Sequence, residues 1–293
     1  MDHYNNDAPH QMSRRQLAKL AAASALGLSL PIASASAQSA PSDTESTLER
    51  IRRTKKLRIA ALVGEPPYFT RDPFTKEWSG ASVEMAKDIA KILDVELEYV
   101  DSTYGNSVIQ LQTGKVDLAM ALTPTPQRAL SIGFSHPTYL HPYGIVAQES
   151  VQASTWADLN KPEVRIAVDL GSTQEMAARR YAPQAQITAF ATRDEVMLAL
   201  QSKKVDCAVF AVLLGLTAVK KNPSIGKFSM LTDPIVGLTS NLAFAKETNT
   251  DWRDFLNVWV DYNRDLGQIS GWILDSLKLA GIEPSDIPSD VVF

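Results

Sequence analysis

The sequence predicts an α/β protein of two similar lobes with a ligand cleft between them, and three observations carry that reading. Helix and strand periodicities alternate along the chain, a nine-residue pattern occurs twice, and one strand ends in a proline-paired turn followed by an arginine. Alternating elements imply largely parallel sheets covered by helices. The second copy of the pattern marks a second lobe of the same kind, and the gap between two such lobes is the usual place for a small ligand.

The chain opens with an address segment. Ser13-Arg14-Arg15-Gln16-Leu17-Ala18-Lys19 has the form of a twin-arginine export signal, Leu20–Ile32 is a weakly apolar run, and Ala35-Ser36-Ala37 offers a small-residue cleavage site. Residues 1–37 are therefore read as a signal peptide, cleaved near Ala37. The apolar run is too short and too rich in Ala, Ser and Gly to span a bilayer, and no longer one follows. The expected destination is a bacterial periplasm.

Beyond it, Ser46–Thr54 reads as a helix with a Ser46/Glu49 capping box, leading to a strand at Leu57–Leu62. Val83, Ala86, Ile89, Ala90 and Leu93 recur at helical spacing, and Val95–Val100 alternates as a strand. A helix ends near Gly114, and a buried strand runs through Val116–Leu122. Thr123-Pro124-Thr125-Pro126 then stops the strand and preorganises a helix start, with Arg128 in its first turn. A hydroxyl, free backbone N–H groups and a guanidinium thus converge at the carboxyl end of a strand, where open α/β sheets hold ligands and where these donors suit an anion. A bidentate contact from Arg128 to a carboxylate is the chemistry this predicts.

The scheme then restarts: strand Arg165–Val168, turn Gly171-Ser172-Thr173, helix Gln174–Tyr181, strand Ile187–Phe190, helix Arg193–Gln201 and strand Asp206–Ala211. The echo lies here. Leu111-Gln112-Thr113-Gly114-Lys115-Val116-Asp117-Leu118-Ala119 reappears 89 residues later as Leu200-Gln201-Ser202-Lys203-Lys204-Val205-Asp206-Cys207-Ala208. That offset is about the size of one small α/β lobe and far longer than a solenoid repeat. A strand at Asn241–Ala245 and helices at Asp251–Arg264 and Gly267–Ala280 read as a return to the first lobe.

Composition excludes several classes. The net charge is −4 with no basic block, which gives no encouragement to nucleic-acid binding. The single cysteine, Cys207, sits in an apolar run, cannot form an internal disulfide and reads as a small core residue. No cysteine near the cleavage site offers a lipid anchor. His3, His10, His136 and His141 make no metal-ligand spacing, and His136 is expected to cap a turn. No phosphate loop and no G-x-S-x-G elbow is present, and no cofactor is expected.

On these residues the chain resembles the family 3 periplasmic solute-binding proteins, receptors of polar amino-acid ABC importers. The likeness spans Leu48–Leu279 and rests on Gly64–Phe69 (G-E-P-P-Y-F), Gly80 with Val83-Glu84, Gln112–Asp117, Leu122–Arg128, Phe134–Pro137, Gly171–Thr173 and Val205–Val209. It implies a type II periplasmic-binding-protein-like fold with a discontinuous first lobe: 48–138 plus 241–293 as lobe 1, 143–236 as lobe 2, and hinge strands at 139–142 and 237–240. It also implies a monomer that closes on a small carboxylate-bearing solute, an amino acid or analogue, and is read by an inner-membrane ABC permease. Arg128 matches the family's carboxylate clamp, Thr123 the hydroxyl beside it, and the Ala121 carbonyl an acceptor for the ligand ammonium. Ser172 and Thr173 match the donors from the opposite lobe, and Tyr104 an aromatic wall.

Two departures qualify the likeness. The aspartate that anchors the ammonium in the family is Ala211 here, which leaves Glu65, or secondly Asp169, as substitutes, or else a ligand without a free α-ammonium. Ser82 stands where relatives usually carry Asp, and no function is assigned to that difference. Exported cyclohexadienyl (arogenate/prephenate) dehydratases also resemble this family, and Glu175 occupies the place of their general acid; an ordinary first-turn glutamate is the competing reading. A third expectation is a non-transport accessory or sensor protein that kept the scaffold.

Overall fold

Ser46 caps the first helix, Thr47–Thr54 (α1), through the anticipated box with Glu49. Strand Lys56–Leu62 (β1) follows, then a hairpin of Thr70–Arg71 (β2) and Trp78–Ser79 (β3), helix Ala81–Leu93 (α2), strand Glu96–Ser102 (β4), helix Tyr104–Gln112 (α3) and strand Leu118–Leu122 (β5). A one-turn helix, Pro126–Ala129 (α4), leads into the long strand Ile132–Ala147 (β6). After helix Trp156–Leu159 (α5) come Arg165–Asp169 (β7), Thr173–Tyr181 (α6), Gln186–Phe190 (β8), Arg193–Gln201 (α7), Cys207–Ala211 (β9), Val212–Lys221 (α8), Lys227–Met230 (β10) and Gly237–Ala245 (β11). Helices Asp251–Asp265 (α9) and Gln268–Leu279 (α10) close the chain. These elements come from a computed structural model that describes residues 45–288 and Val291; the export signal read at 1–37 lies outside the described residues.

The strands join in the order β4-β1-β5-β11-β6-β9-β7-β8, with β10 added beside β6. In the first half β1 lies between β4 and β5, parallel to both; in the second half β7 lies between β8 and β9, again parallel to both. The halves are thus two copies of one arrangement, and the echoed Val-Asp pairs show why the repeat persists in sequence. Asp117 accepts hydrogen bonds from the Arg58 backbone N at 2.8 Å, its Nε at 3.1 Å and its Nη2 at 2.6 Å. Asp206 accepts from the same three atoms of Arg165, again at 2.8, 3.1 and 2.6 Å. Each aspartate ties the start of its outer strand to the start of the central one, a charge-assisted clamp that fixes register. In the first half Arg50 of α1 joins it as a second ion-pair partner of Asp117.

β6 and β11 link the halves. Residues 139–142 pair antiparallel with 237–240, after which β6 continues from Tyr143 to Ala147 against β9 and from Gly144 against β10. The sequence reading did not foresee so long a strand, because Pro137 and Pro142 punctuate it. Register shifts around Asn241 absorb the irregularity near Pro137, as bulges do where a proline cannot donate. Helices α5 and α8 and strand β10 were also not anticipated. The core lies on the sheet faces: α2 buries Val83, Met85, Ala86 and Ile89 completely or nearly so, and an aliphatic side chain of that size stabilises by about 2 kcal/mol when buried. His136 does not cap a turn. It lies in β6 with Nδ1 2.8 Å from the Asp261 carboxylate of α9, while its backbone N donates to Asn257.

Candidate functional site

The seam between the halves is built from strand ends and first helical turns. Thr125 caps α4 with Pro126 at its first position, so the turn brings Arg128 back over the end of β5. The guanidinium is buried. Its Nη1 donates to the Thr123 carbonyl at 2.7 Å, and its Nη2 crosses the seam to the Gly171 carbonyl at 2.8 Å. Among the described residues it has no carboxylate partner. Burial pulls its pKa below the usual arginine range, and the Tyr104 and Tyr143 hydroxyls oppose that pull. A desolvated cation held by two neutral acceptors has unspent capacity for an anion.

Ala121 has φ +57°, the left-handed region that alanine seldom enters. Asn241 and Ala243 of β11 face Leu122 and Ala119, so β5 carries one extra residue between the paired positions. That bulge re-aims the strand end carrying Thr123, a common device beside binding sites. Thr123 is buried with its hydroxyl 3.1 Å from His141 Nε2.

From the opposite half, Ser172 caps α6 and its hydroxyl accepts from the Glu175 backbone N. The Thr173 hydroxyl lies 2.5 Å from the Tyr143 hydroxyl. Gly171 has φ +74°, and a Cβ there would stand 3.5 Å from Gly105 Cα across the seam. That distance is an ordinary contact, so it is the backbone conformation that would strain a side chain here. Glu175 accepts from the Gly171 backbone N at 2.8 Å and pairs with Arg179 at 2.9 Å. Its carboxylate is spent on the turn it closes.

Tyr139, His141 and Tyr143 alternate along one face of β6 and form an aromatic row with Tyr68 stacked on Tyr139. The hydroxyls of Tyr68, Tyr139 and Ser240 and the Nδ1 of His141 are buried without a well-formed hydrogen bond, a concentration of orphaned polar atoms that suits a polar solute or ordered water. Burial pushes His141 down to about 4, so its ring is neutral at pH 7. It pushes Tyr143 up to about 12.

Glu65 and Asp169 are both buried, and both are engaged by one side chain that sequence reasoning missed. Arg193 donates from Nε and Nη2 to Glu65 at 3.1 and 2.8 Å and pairs with Asp169 at 2.7 Å. Its guanidinium also stands 4.4 Å above the Phe210 ring. Tyr104, read as an aromatic wall, donates its hydroxyl to Glu65 at 3.0 Å. Burial raises Glu65 to about 7 against the attraction of Arg193, with Asp169 adding to the rise. Burial alone would lower Arg193, but the two carboxylates outweigh it and hold its pKa raised.

Two signals could have found Arg193. It opens α7 behind its cap Thr192, as Tyr104 opens α3 behind Thr103. Carried back from 111–119, the 89-residue offset superposes Thr103-Tyr104 on Thr192-Arg193. A cation in the first turn of a helix also opposes the helix dipole and calls for a reason.

Two parallel α/β halves joined by crossing strands, with a buried cation at the seam, define the class of two-lobed solute receptors. The chain belongs to the bacterial extracellular solute-binding proteins, family 3, which matches residues 57–270. It is 27% identical over 175 residues to an arginine-binding extracellular protein of Bacillus subtilis, covering 58% of this chain and 67% of that one. It is 26% identical over 207 residues to a probable histidine-binding protein of Campylobacter jejuni, covering 69% and 79%. Among solved structures, an ancestral amino acid-binding protein described as a precursor of cyclohexadienyl dehydratase superposes with TM-score 0.70 at 26% identity, over 78% of this chain and all of that one. An amino acid ABC transporter substrate-binding protein of Streptococcus pneumoniae, bound to L-arginine, gives TM-score 0.73 at 24% identity over 80% and 99%, a likeness of fold.

Proposed function

We propose that this protein is the periplasmic receptor of an ABC importer and captures a small carboxylate-bearing solute, an amino acid or a close analogue, between two hinged lobes. The observation that carries the reading is Arg128: a buried guanidinium, without a carboxylate partner among the described residues, that reaches one carbonyl on each side of the seam. A ligand carboxylate would replace the Gly171 carbonyl as acceptor and exchange a neutral hydrogen bond for a bidentate ion pair. Thr123, Thr173 and Tyr143 would complete its hydrogen bonds. The lobes take the limits 48–138 with 241–293, and 143–236, hinged at 139–142 and 237–240. Differential contacts with both lobes would favour the closed state that a permease reads. The relatives named for arginine and histidine binding support an amino acid-like solute. Twin-arginine export, cleavage near Ala37 and a monomeric state complete the proposal.

The dehydratase reading rests on the ancestral neighbour's description. It is the weaker one because the Glu175 carboxylate is occupied by Gly171 N and Arg179. Calorimetry against a panel of amino acids, 2-oxo acids and betaines tests the receptor reading, with an assay for phenylpyruvate run alongside. Saturable binding that Arg128→Met abolishes is the expected result. Turnover of prephenate or arogenate, or binding indifferent to Arg128, would refute it.

A further inference from the structure

Two carboxylates and an aromatic face converging on one buried point form a site for an organic cation. Glu65 comes from the turn after β1, Asp169 from the end of β7 and Phe210 from β9, so the site draws on both halves of the sheet. Its occupant is the chain's own Arg193, seated with both carboxylates and ring in contact and only 6% of its side chain exposed. Cavities of about 300 and 390 Å³ adjoin it. Glu65, Asp169 and Tyr104 line the first, Gly64, Met197 and Leu214 line the second, and Arg193 lines both.

We infer that Arg193 is a built-in ligand: its guanidinium fills a cation subsite of the cleft, so the solute captured at Arg128 is a carboxylate that carries no ammonium or guanidinium group of its own. The inference rests on the receptor reading for the Arg128 end of the cleft and narrows its solute from amino acids and analogues to the analogues without an amine. The physical ground is occupancy. With Arg193 in place, the two acids share one guanidinium at 2.7–2.8 Å that fills the space between them, so an added ammonium would have to displace it or be desolvated beside it. With Arg193 removed, two buried carboxylates would face each other across an unfilled space reached from either cavity, a strong demand for a small planar cation.

The test is substitution with chemical rescue, which does not involve Arg128. Arg193→Ala is expected to melt below the wild-type protein, and millimolar guanidinium chloride should raise its melting temperature by about 2–4 °C over equal sodium chloride. Urea, neutral and of the same shape, should give no such gain, and Glu65→Gln in the Arg193→Ala background should reduce the guanidinium effect. A folded Arg193→Ala that responds equally to sodium and guanidinium overturns the inference. Should that variant not fold, the wild-type protein decides. Titration with L-arginine, putrescine and guanidinium should be silent, and a saturable response to any of them overturns it. Arg193-dependent rescue alongside carboxylate binding that ignores Arg128 would leave Arg193 as the occupant of the cation subsite and remove the Arg128 reading instead.

Discussion

Acidification should separate two buried groups that oppose each other. His141 is lowered from 6.5 to about 4 by burial, so between those values the unfolded chain holds a proton that the folded chain refuses. Its contribution to stability is present above pH 6.5 and is lost as pH falls toward 4. At about 1.4 kcal/mol per pH unit this amounts to about 3 kcal/mol. Glu65 runs the other way. Raised from 4.5 to about 7, chiefly by burial, it keeps a proton that the unfolded chain has released, and its contribution is present below pH 4.5 and lost as pH rises through 7. The two slopes nearly cancel in the wild-type protein. His141→Gln removes one of them and keeps a polar group beside Thr123. Urea unfolding of both proteins from pH 4 to 7 gives the difference in unfolding free energy, from which carboxylates common to both drop out. Wild-type stability relative to His141→Gln should fall by about 3 kcal/mol from pH 7 to pH 4. A difference that stays flat over that range would show that His141 titrates as an exposed imidazole and would refute the buried aromatic row as described.

Three further outcomes follow from the same contacts. Arg128→Met should leave the unliganded protein as stable as wild type or slightly more so, since a desolvated cation without an acid partner is replaced by an apolar chain, and should weaken carboxylate binding by about 100-fold or more. Denaturation and calorimetry on one sample separate the two effects. Asp117→Asn should cost about 3 kcal/mol in urea unfolding, because it strands Arg58 and Arg50 in a largely buried site, while Asp206→Asn should cost measurably less, its partner Arg165 being solvated. Equal losses would show that the two clamps do not differ in burial. Glu175→Gln should lower the melting temperature and leave ligand affinity within a factor of about two, because the carboxylate serves the Gly171 turn and not the solute.

Much of this molecule was written in its periodicities. Alternation and helical spacing place α2, α7, β1, β7 and β9 within about two residues, because each buries one face or a whole strand and its pattern is therefore constrained. The echo through Val116-Asp117 and Val205-Asp206 persists because both aspartates clamp an arginine with the same distances. β6 was obscure for a physical reason: its prolines are tolerated only through bulges and a change of partner strand, which are tertiary facts. The site divides in the same way. Arg128, Thr123, Ser172 and Thr173 sit on local cap and turn chemistry, so the turns that carry them to the seam were legible in the sequence. The engagement of Glu65 and Asp169 by Arg193 needs a fold that brings residues 65, 169 and 193 together, and no local pattern encodes it.

The sharpest check is a structure of the protein with the solute it retains through purification. A carboxylate oxygen should lie within hydrogen-bond distance of the Arg128 guanidinium, with the Gly171 carbonyl released and Arg193 still held by Glu65 and Asp169. A solute bound elsewhere, with Arg128 still bridging the Thr123 and Gly171 carbonyls, would contradict it.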